Sequence, residues 1–327
     1  VGFQPSGVEQ VSFNRCAAIA FEFISFGYLP GGSTPMTLVG AVCSYLDQFA
    51  PEFLAESWDN TGLLLGQNDL QVSNVMTCLT ITPEVVQEAI DNGVTLIVSH
   101  HPMPFKPLSK ISDASYYGAM VWDLARNGVC VYSPHTRFDS TRGGINQQIA
   151  DAIGLVGTLP LEVREPLEVR EPLEVRDAIA ETQDMLMDDV AGGASQALVG
   201  RGRWGRYEQP ESIAEIAKRL KLALAFEHLK HVTASDGRPV SRVAIGCGSA
   251  GDFLRDAKRL ACDLLILGET TFHICLEARA LDVDLLLVGH YRSERFAVEQ
   301  LVSVLALQFP TLKIWASQCE QDPIRWL

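Results

Sequence analysis

The chain is expected to fold as an α/β protein with two similar lobes, each a sheet covered by helices. Two observations predict this class. Apolar runs with the length of buried strands alternate with helix-length segments through both halves of the sequence, the pattern that gives sheets covered on both faces. The chain is also 327 residues long and 47% hydrophobic, enough to bury a sizeable core.

The elements follow in order. Residues 1–35 contain a moderately apolar stretch, 16–29, which Glu22 interrupts and which is too short to span a bilayer. A secretory signal is poorly matched, since no clear cleavage signal follows. These residues are read as an extension preceding the first lobe, 36–159, whose first helix begins at Leu38-Val39-Gly40-Ala41-Val42. Strands are predicted at 74–79, 94–99 and 129–133, and helices at 83–92, 115–127 and 144–153.

Residues 160–209 are read as a linker or insertion. They open with three hexads, Pro160-Leu161-Glu162-Val163-Arg164-Glu165, an identical copy at 166–171, and Pro172-Leu173-Glu174-Val175-Arg176-Asp177. Proline every six residues bars a continuous helix and the alternating charge favours a solvated spacer. The second lobe, 210–327, resumes with a helix to Leu222. Strands are then expected at 242–245, 263–267, 283–288 and 312–316, and helices at 252–261, 271–281 and 293–308.

Composition narrows the function classes. With 26 basic and 40 acidic residues the net charge is −14, a field that repels nucleic-acid phosphates. The eight cysteines lie scattered, mostly within apolar runs and without metal spacing. That is the pattern of reduced thiols in a cytoplasmic protein.

The chemistry-bearing residues sit where strands end. Leu96-Ile97-Val98-Ser99 runs into His100-His101, and Val129-Cys130-Val131-Tyr132-Ser133 runs into Pro134-His135-Thr136-Arg137-Phe138-Asp139. Leu285-Leu286-Leu287-Val288-Gly289 precedes His290-Tyr291-Arg292-Ser293-Glu294. In open α/β sheets ligands collect beyond the carboxyl ends of strands. His135 and Asp139, like His290 and Glu294, are four residues apart, a spacing that shares one face of a helical turn. An isolated His-His pair is more often one core and one surface residue. Three such segments favour a metal site with nitrogen and oxygen ligands, suited to Zn, Mn, Fe, Co or Ni. With ligands drawn from both halves, the metal site is expected in the cleft between the lobes.

These stretches, with Glu56-Ser57-Trp58-Asp59-Asn60-Thr61-Gly62-Leu63, Gly143-Gly144-Ile145-Asn146, Gly246-Cys247-Gly248-Ser249-Ala250-Gly251 and Gly268-Glu269, resemble in order a known family. It is the GTP cyclohydrolase 1 type 2 homologue family, also called the Ngg-one-interacting-factor-three-like dinuclear-metal family. The resemblance implies two divalent metal ions per chain, held by His100, His101, Asp139, His290 and Glu294, with Glu294 bridging. It makes His135 an auxiliary ligand or an orienting group, places Glu269 near the metals, and implies a toroidal homohexamer. Arg137 and Phe138 depart from the family's residues and are expected to add a cation and an aromatic ring at the rim of the site.

Two metals side by side can activate a water and clamp an oxyanion, which is hydrolytic chemistry. Tyr291 and Arg292, beside two ligands, are candidates for a donor and a positive charge toward a phosphate or carboxylate. The expected function is therefore a hydrolase acting on a nucleotide-like or phosphorylated small molecule. A non-catalytic metal-binding, chaperone or regulatory protein is the alternative from another class. The segment Gly246 to Gly251 also satisfies G-x-G-x-x-G, with Glu269 where a ribose-binding acid would stand. A dinucleotide site, a phosphate contact and a plain tight turn all remain open for that loop. Trp58-Asp59-Asn60 either lines the cleft or packs as a turn.

Overall fold

The computed structural model describes residues 36–165, 198–234 and 237–325. The extension expected at residues 1–35, the second and third hexads and the rest of the expected linker up to residue 197 lie outside the described residues. In the first sheet, β2 (Asn74–Cys78), β3 (Leu96–Ser99) and β4 (Cys130–Ser133) run parallel. The edge strand β1 (Gly62–Leu65) pairs antiparallel with β4. The strand expected to close the second lobe, β13 (Lys313–Ala316), instead adds parallel to β2 on the other edge. Its Ile-Trp-Ala run lies against helix Ala297–Gln308, which returns the chain to the first sheet. The lobes are therefore not divided by one cut in the chain.

The second sheet has a parallel centre, β10 (Val240–Ser249), β11 (Leu264–Glu269) and β12 (Asp284–Leu287), flanked by antiparallel strands. These are β8 (Arg203–Glu211), β5 (Val156–Leu159) beyond it, and β9 (Lys230–Val232) on the far edge. The polar composition of β8 and the shortness of β5 and β9 hid all three from the apolar-run criterion. The first hexad is not a spacer. Glu162–Arg164 forms β6, which pairs antiparallel with β7 (Val199–Arg201) in a separate ribbon, and Leu161 beside it is buried.

Among the described residues the alternation of side chains across each strand sorts them into three large cores, beside a small cluster of Leu79, Val298 and Ala316. Val75, Leu96 and Val98 face inward with Val243, Ile245, Leu264 and Ile266 of the second sheet. Helices α1 (Val39–Phe49), α5 (Ile145–Ile153), α6 (Ile213–Ala223) and α10 (Ala297–Gln308) contribute to this shared core. The opposite face of the first sheet, with Met76, Ile97 and Val131, is covered by α2 (Pro83–Asp91) and α3 (Tyr116–Arg126). The outer face of the second sheet is covered by α7 (Leu254–Arg259) and α8 (Phe272–Ala280). Strands buried on both faces read as unbroken apolar runs, which is why the sequence exposed them.

Helix starts are set by local chemistry. Thr82, Ser115, Ser212 and Thr271 each accept the backbone N–H three residues on, and Pro83 occupies the first turn of α2. Two short helices matter most for the site: α4 (His135–Ser140) follows β4 and α9 (His290–Glu294) follows β12. Both sheets direct the carboxyl ends of their parallel strands toward the same cleft.

Candidate metal centre

His100 and His101 extend the β2 ladder, their N–H groups donating to Cys78 O at 2.9 Å and Leu79 O at 2.8 Å. His100 is 1% exposed, and neither of its ring nitrogens has a hydrogen-bond partner. Burial holds its pKa well below the ordinary imidazole value, against the opposing charge of Glu294, so the ring is neutral. A buried neutral imidazole without a partner is costly unless something else takes its lone pair.

Glu294 is also buried, 3% exposed. Its Oε2 lies 3.0 Å from His101 Nε2 and 3.2 Å from His290 Nε2, and the two nitrogens are 3.3 Å apart. Two imidazole nitrogens at that separation either share an N–H···N hydrogen bond or both turn a lone pair to one cation, and the buried carboxylate beside them calls for a positive charge. Burial alone would raise the Glu294 carboxyl, but hydrogen bonds from His101 and His290 outweigh it and hold it well below the carboxylate range. His290 is correspondingly pushed up to about 9, chiefly by its hydrogen bond to Glu294. A divalent cation meets the same demand for positive charge, so the donor set fits a metal.

The outer nitrogens of both rings are fixed. Thr80 Oγ1 lies 2.7 Å from His101 Nδ1 and Glu269 Oε1 lies 3.0 Å from His290 Nδ1, which directs both Nε2 atoms inward. Glu269 is thus turned to a histidine. Gly248, at φ +62°, allows the loop to pass over Glu294, since a Cβ there would strike the carboxylate. Gly289, at φ +95°, turns β12 directly into α9.

His135 stands on the other side of His100, the rings 5.3 Å apart, and its donor atom groups with those of His100 and His101. Asp59 beneath it takes His135 Nδ1 at 2.6 Å and the Thr136 hydroxyl at 2.5 Å. Asp139 is 3.6 Å from His100 Nε2 and lines the cavity, yet it falls outside both three-donor clusters found among the described residues. It accepts the Cys247 thiol at 3.2 Å, and burial together with Glu294 raises it to about 7.

Several expected residues lie elsewhere. Tyr291 Oη donates to Glu320 O at 3.3 Å and Arg292 Nε is 3.6 Å from Asp322, so both face the C-terminal segment. On α9, positions 290 and 294 share the cleft face, and 291 and 292 are rotated about 100° and 200° from it. Arg137 is 2% exposed and points back to α1, donating to Ala50 O and Asp47; Phe138 is 1% exposed beneath His100. Neither reaches the rim, because α4 presents 135 and 139 to the cleft and 137 and 138 to the core. The Gly246–Gly251 loop is no phosphate cradle at its first turn. Cys247 N donates to Asn146 Oδ1 and Gly248 N to Ser293 Oγ.

Sequence reasoning missed Thr80 and Glu320, and it gave no role to Asn146, quoted only within the stretch Gly143 to Asn146. Asn146, 2% exposed, ties α5 to β10 and also donates to Asp139 O. Its signal was a polar side chain on an otherwise apolar helix face. Glu320 accepts Leu79 N and Thr80 N, and so holds the turn that carries Thr80. Of the cysteines, Cys43, Cys78, Cys130, Cys247 and Cys262 are buried and free, Cys275 is half-buried and Cys319 is exposed; Cys16 lies outside the described residues.

Fold and site together define a class of α/β protein in which two sheets present imidazoles and a buried carboxylate to one candidate metal cleft. Residues 37–323 match the family described as Duf34/NIF3 (NGG1p interacting factor 3), and the chain belongs to that family. It is 31% identical over 260 residues to the GTP cyclohydrolase 1 type 2 of Helicobacter pylori, covering 80% of this chain and 88% of that one. It is 28% identical over 254 residues to the GTP cyclohydrolase 1 type 2 homolog of Clostridium perfringens, covering 77% and 85%. A Bacillus cereus protein related to NIF3 shares the fold with a TM-score of 0.73, at 22% identity over 90% of this chain and all of that one. Among the described residues no helix is long and apolar enough to cross a membrane.

Proposed function

We propose that the protein is a metal-dependent hydrolase of a nucleotide-like small molecule, with two divalent ions held by His100, His101, Asp139, His290 and Glu294. The observation that carries this reading is Glu294, buried between His101 and His290, with the unpartnered ring of His100 beside it. Glu294 is the group placed to serve both ions. When bound, such ions lower the pKa of a water and neutralise charge developing on an oxygen.

The residues supply the rest. Thr80 and Glu269 orient His101 and His290, and Asp59 orients His135 toward the same space. The cavity beside them is about 470 Å³, a volume suited to a small molecule. The names of the Helicobacter and Clostridium relatives favour a purine nucleotide. A homohexamer belongs to the same proposal, and light scattering of the purified protein checks it.

The test is a metal-replete sample screened against nucleotides, phosphoesters and cyclic amides. Turnover that a chelator abolishes and added metal restores is expected. Full metal content with no turnover across the panel would replace this reading by a non-catalytic metal-binding or regulatory role.

A further inference from the structure

Trp58 and Phe105 line the cavity with 60% and 42% of their surfaces exposed. Large aromatic rings are costly to leave in water, and these two sit beside the candidate metal centre. Their centroids are 6.0 Å apart, and each ring is about as close to His135, at 6.1 and 6.2 Å. His135 in turn lies 5.7 Å from the ring of His101. A continuous aromatic wall therefore runs from the mouth of the cavity to the histidines.

Charge on the same walls argues against recognition led by a phosphate. Among the described residues the cavity is lined by one Lys or Arg side chain, Arg201. That guanidinium is already shared by Glu56 at 2.5 Å, Glu162 at 2.9 Å and Asp252 at 2.7 Å, and it stacks over Phe253 at 4.8 Å. The glycine loop has its Cys247 and Gly248 N–H groups turned to internal acceptors. The protein lining thus offers π-faces and no uncommitted guanidinium or ammonium.

We propose that Trp58 and Phe105 form a stacking subsite for an uncharged planar heteroaromatic ring, a nucleobase or a ring of similar size, which they hold beside the metal centre. This rests on the hydrolase reading for the identity of the molecule as a substrate, but not for its binding. The ring is recognised by its faces, and any phosphate it carries faces the metals or solvent.

Titration calorimetry on the full chain, freed of metal with a chelator, separates the two ideas. Guanosine and adenosine are expected to bind, whereas ribose 5-phosphate and inorganic phosphate are not. Trp58→Ala is expected to weaken nucleoside binding about 5- to 100-fold, the usual effect of losing one base stack, with Phe105→Ala acting in the same direction. Trp58→Phe should restore most of the affinity. Both side chains are exposed, so melting curves of the variants should match the parent chain. The subsite is overturned if nucleosides do not bind, if ribose 5-phosphate binds as well as they do, or if Trp58→Ala leaves their affinity unchanged. Nucleoside binding without metal-dependent turnover would sink the hydrolase reading alone. Turnover of a ring-free substrate, indifferent to Trp58→Ala, would sink the subsite alone.

Discussion

The two sheets reach the cleft in different ways. The first sheet delivers His100 and His101 on the continuation of a parallel ladder, His100 buried and His101 half-buried, with His135 and Asp139 beside them on α4. The second delivers His290 and Glu294 on a single helical turn after Gly289, with Glu269 behind His290. The second side supplies Glu294, the carboxylate in contact with both His101 and His290, while Asp139 of the first side stands 3.6 Å from His100. The difference teaches that the proposed ligands are drawn from both sides of the cleft: His100, His101 and His135 group on the first, and His290 and Glu294 join His101 from the second.

The comparison predicts that removing the charge from the second side does the most damage. If both proposed ions depend on this carboxylate, Glu294→Ala is expected to lower bound metal, read by elemental analysis, from about two ions per chain to nearly none. A variant that keeps both ions would show that the carboxylate only balances protonated histidines.

The next largest effect separates a ligand from a core residue on the first side. His100 is buried with both ring nitrogens unpartnered, so in metal-free protein the ring carries a desolvation cost without a hydrogen bond in return. His100→Leu, similar in volume, is expected to leave the stability of chelated protein within about 1 kcal/mol of the parent or to raise it. The same change should remove the stabilisation that added metal gives the parent chain. Urea melts with and without metal measure both. A loss well above that range without metal would make His100 a packing residue.

A smaller effect tests the positioning groups. Thr80→Val keeps the shape of the side chain and removes the partner of His101 Nδ1. Metal affinity is expected to fall about 10- to 100-fold, as for other groups that orient a ligand histidine, with little change in melting temperature. Equal affinity would mean that the β2 ladder alone orients the ring.

Legibility in the sequence followed the same division. Parallel strands buried on both faces, such as Leu96–Ser99 and Leu264–Glu269, announced themselves as apolar runs, and His100 and His101 followed the first of these directly. Partly exposed strands such as β8 and β9 carried no such run. The membership of β13 in the first sheet is a long-range pairing that no local pattern encodes. Spacing by four identified His290 with Glu294, but adjacency misplaced Tyr291 and Arg292, because neighbours in a helical turn point in different directions. Arg137 failed for a related reason. A charged side chain reads as exposed until its partners, here Asp47 and Ala50 O, are known.

The smallest expected effect concerns the C-terminal segment, which meets α2 and the turn after β2 on the first side and Tyr291 and Arg292 of α9 on the second. Glu88 on α2 accepts the Ser317 hydroxyl at 2.6 Å, Gln318 N at 3.0 Å and Cys319 N at 3.2 Å. Burial pushes this carboxyl up, but those hydrogen bonds outweigh it and hold its pKa below the ordinary value of 4.5. A carboxyl depressed in the folded state contributes stability above its unfolded pKa, and that contribution is lost as pH falls through the folded value. The brace is therefore intact at neutral pH and weakens in acid. Glu88→Gln is expected to be slightly less stable than the parent chain at pH 7, with the gap closing as pH drops through and below 4.5. Because Glu88 is largely solvated, the difference should be small and is best read as a shift in melting temperature between matched samples. A gap that stays constant from pH 7 into acid would mean that Glu88 braces the segment without its charge, and no gap at pH 7 would mean that Glu320 and Arg295 hold the segment instead.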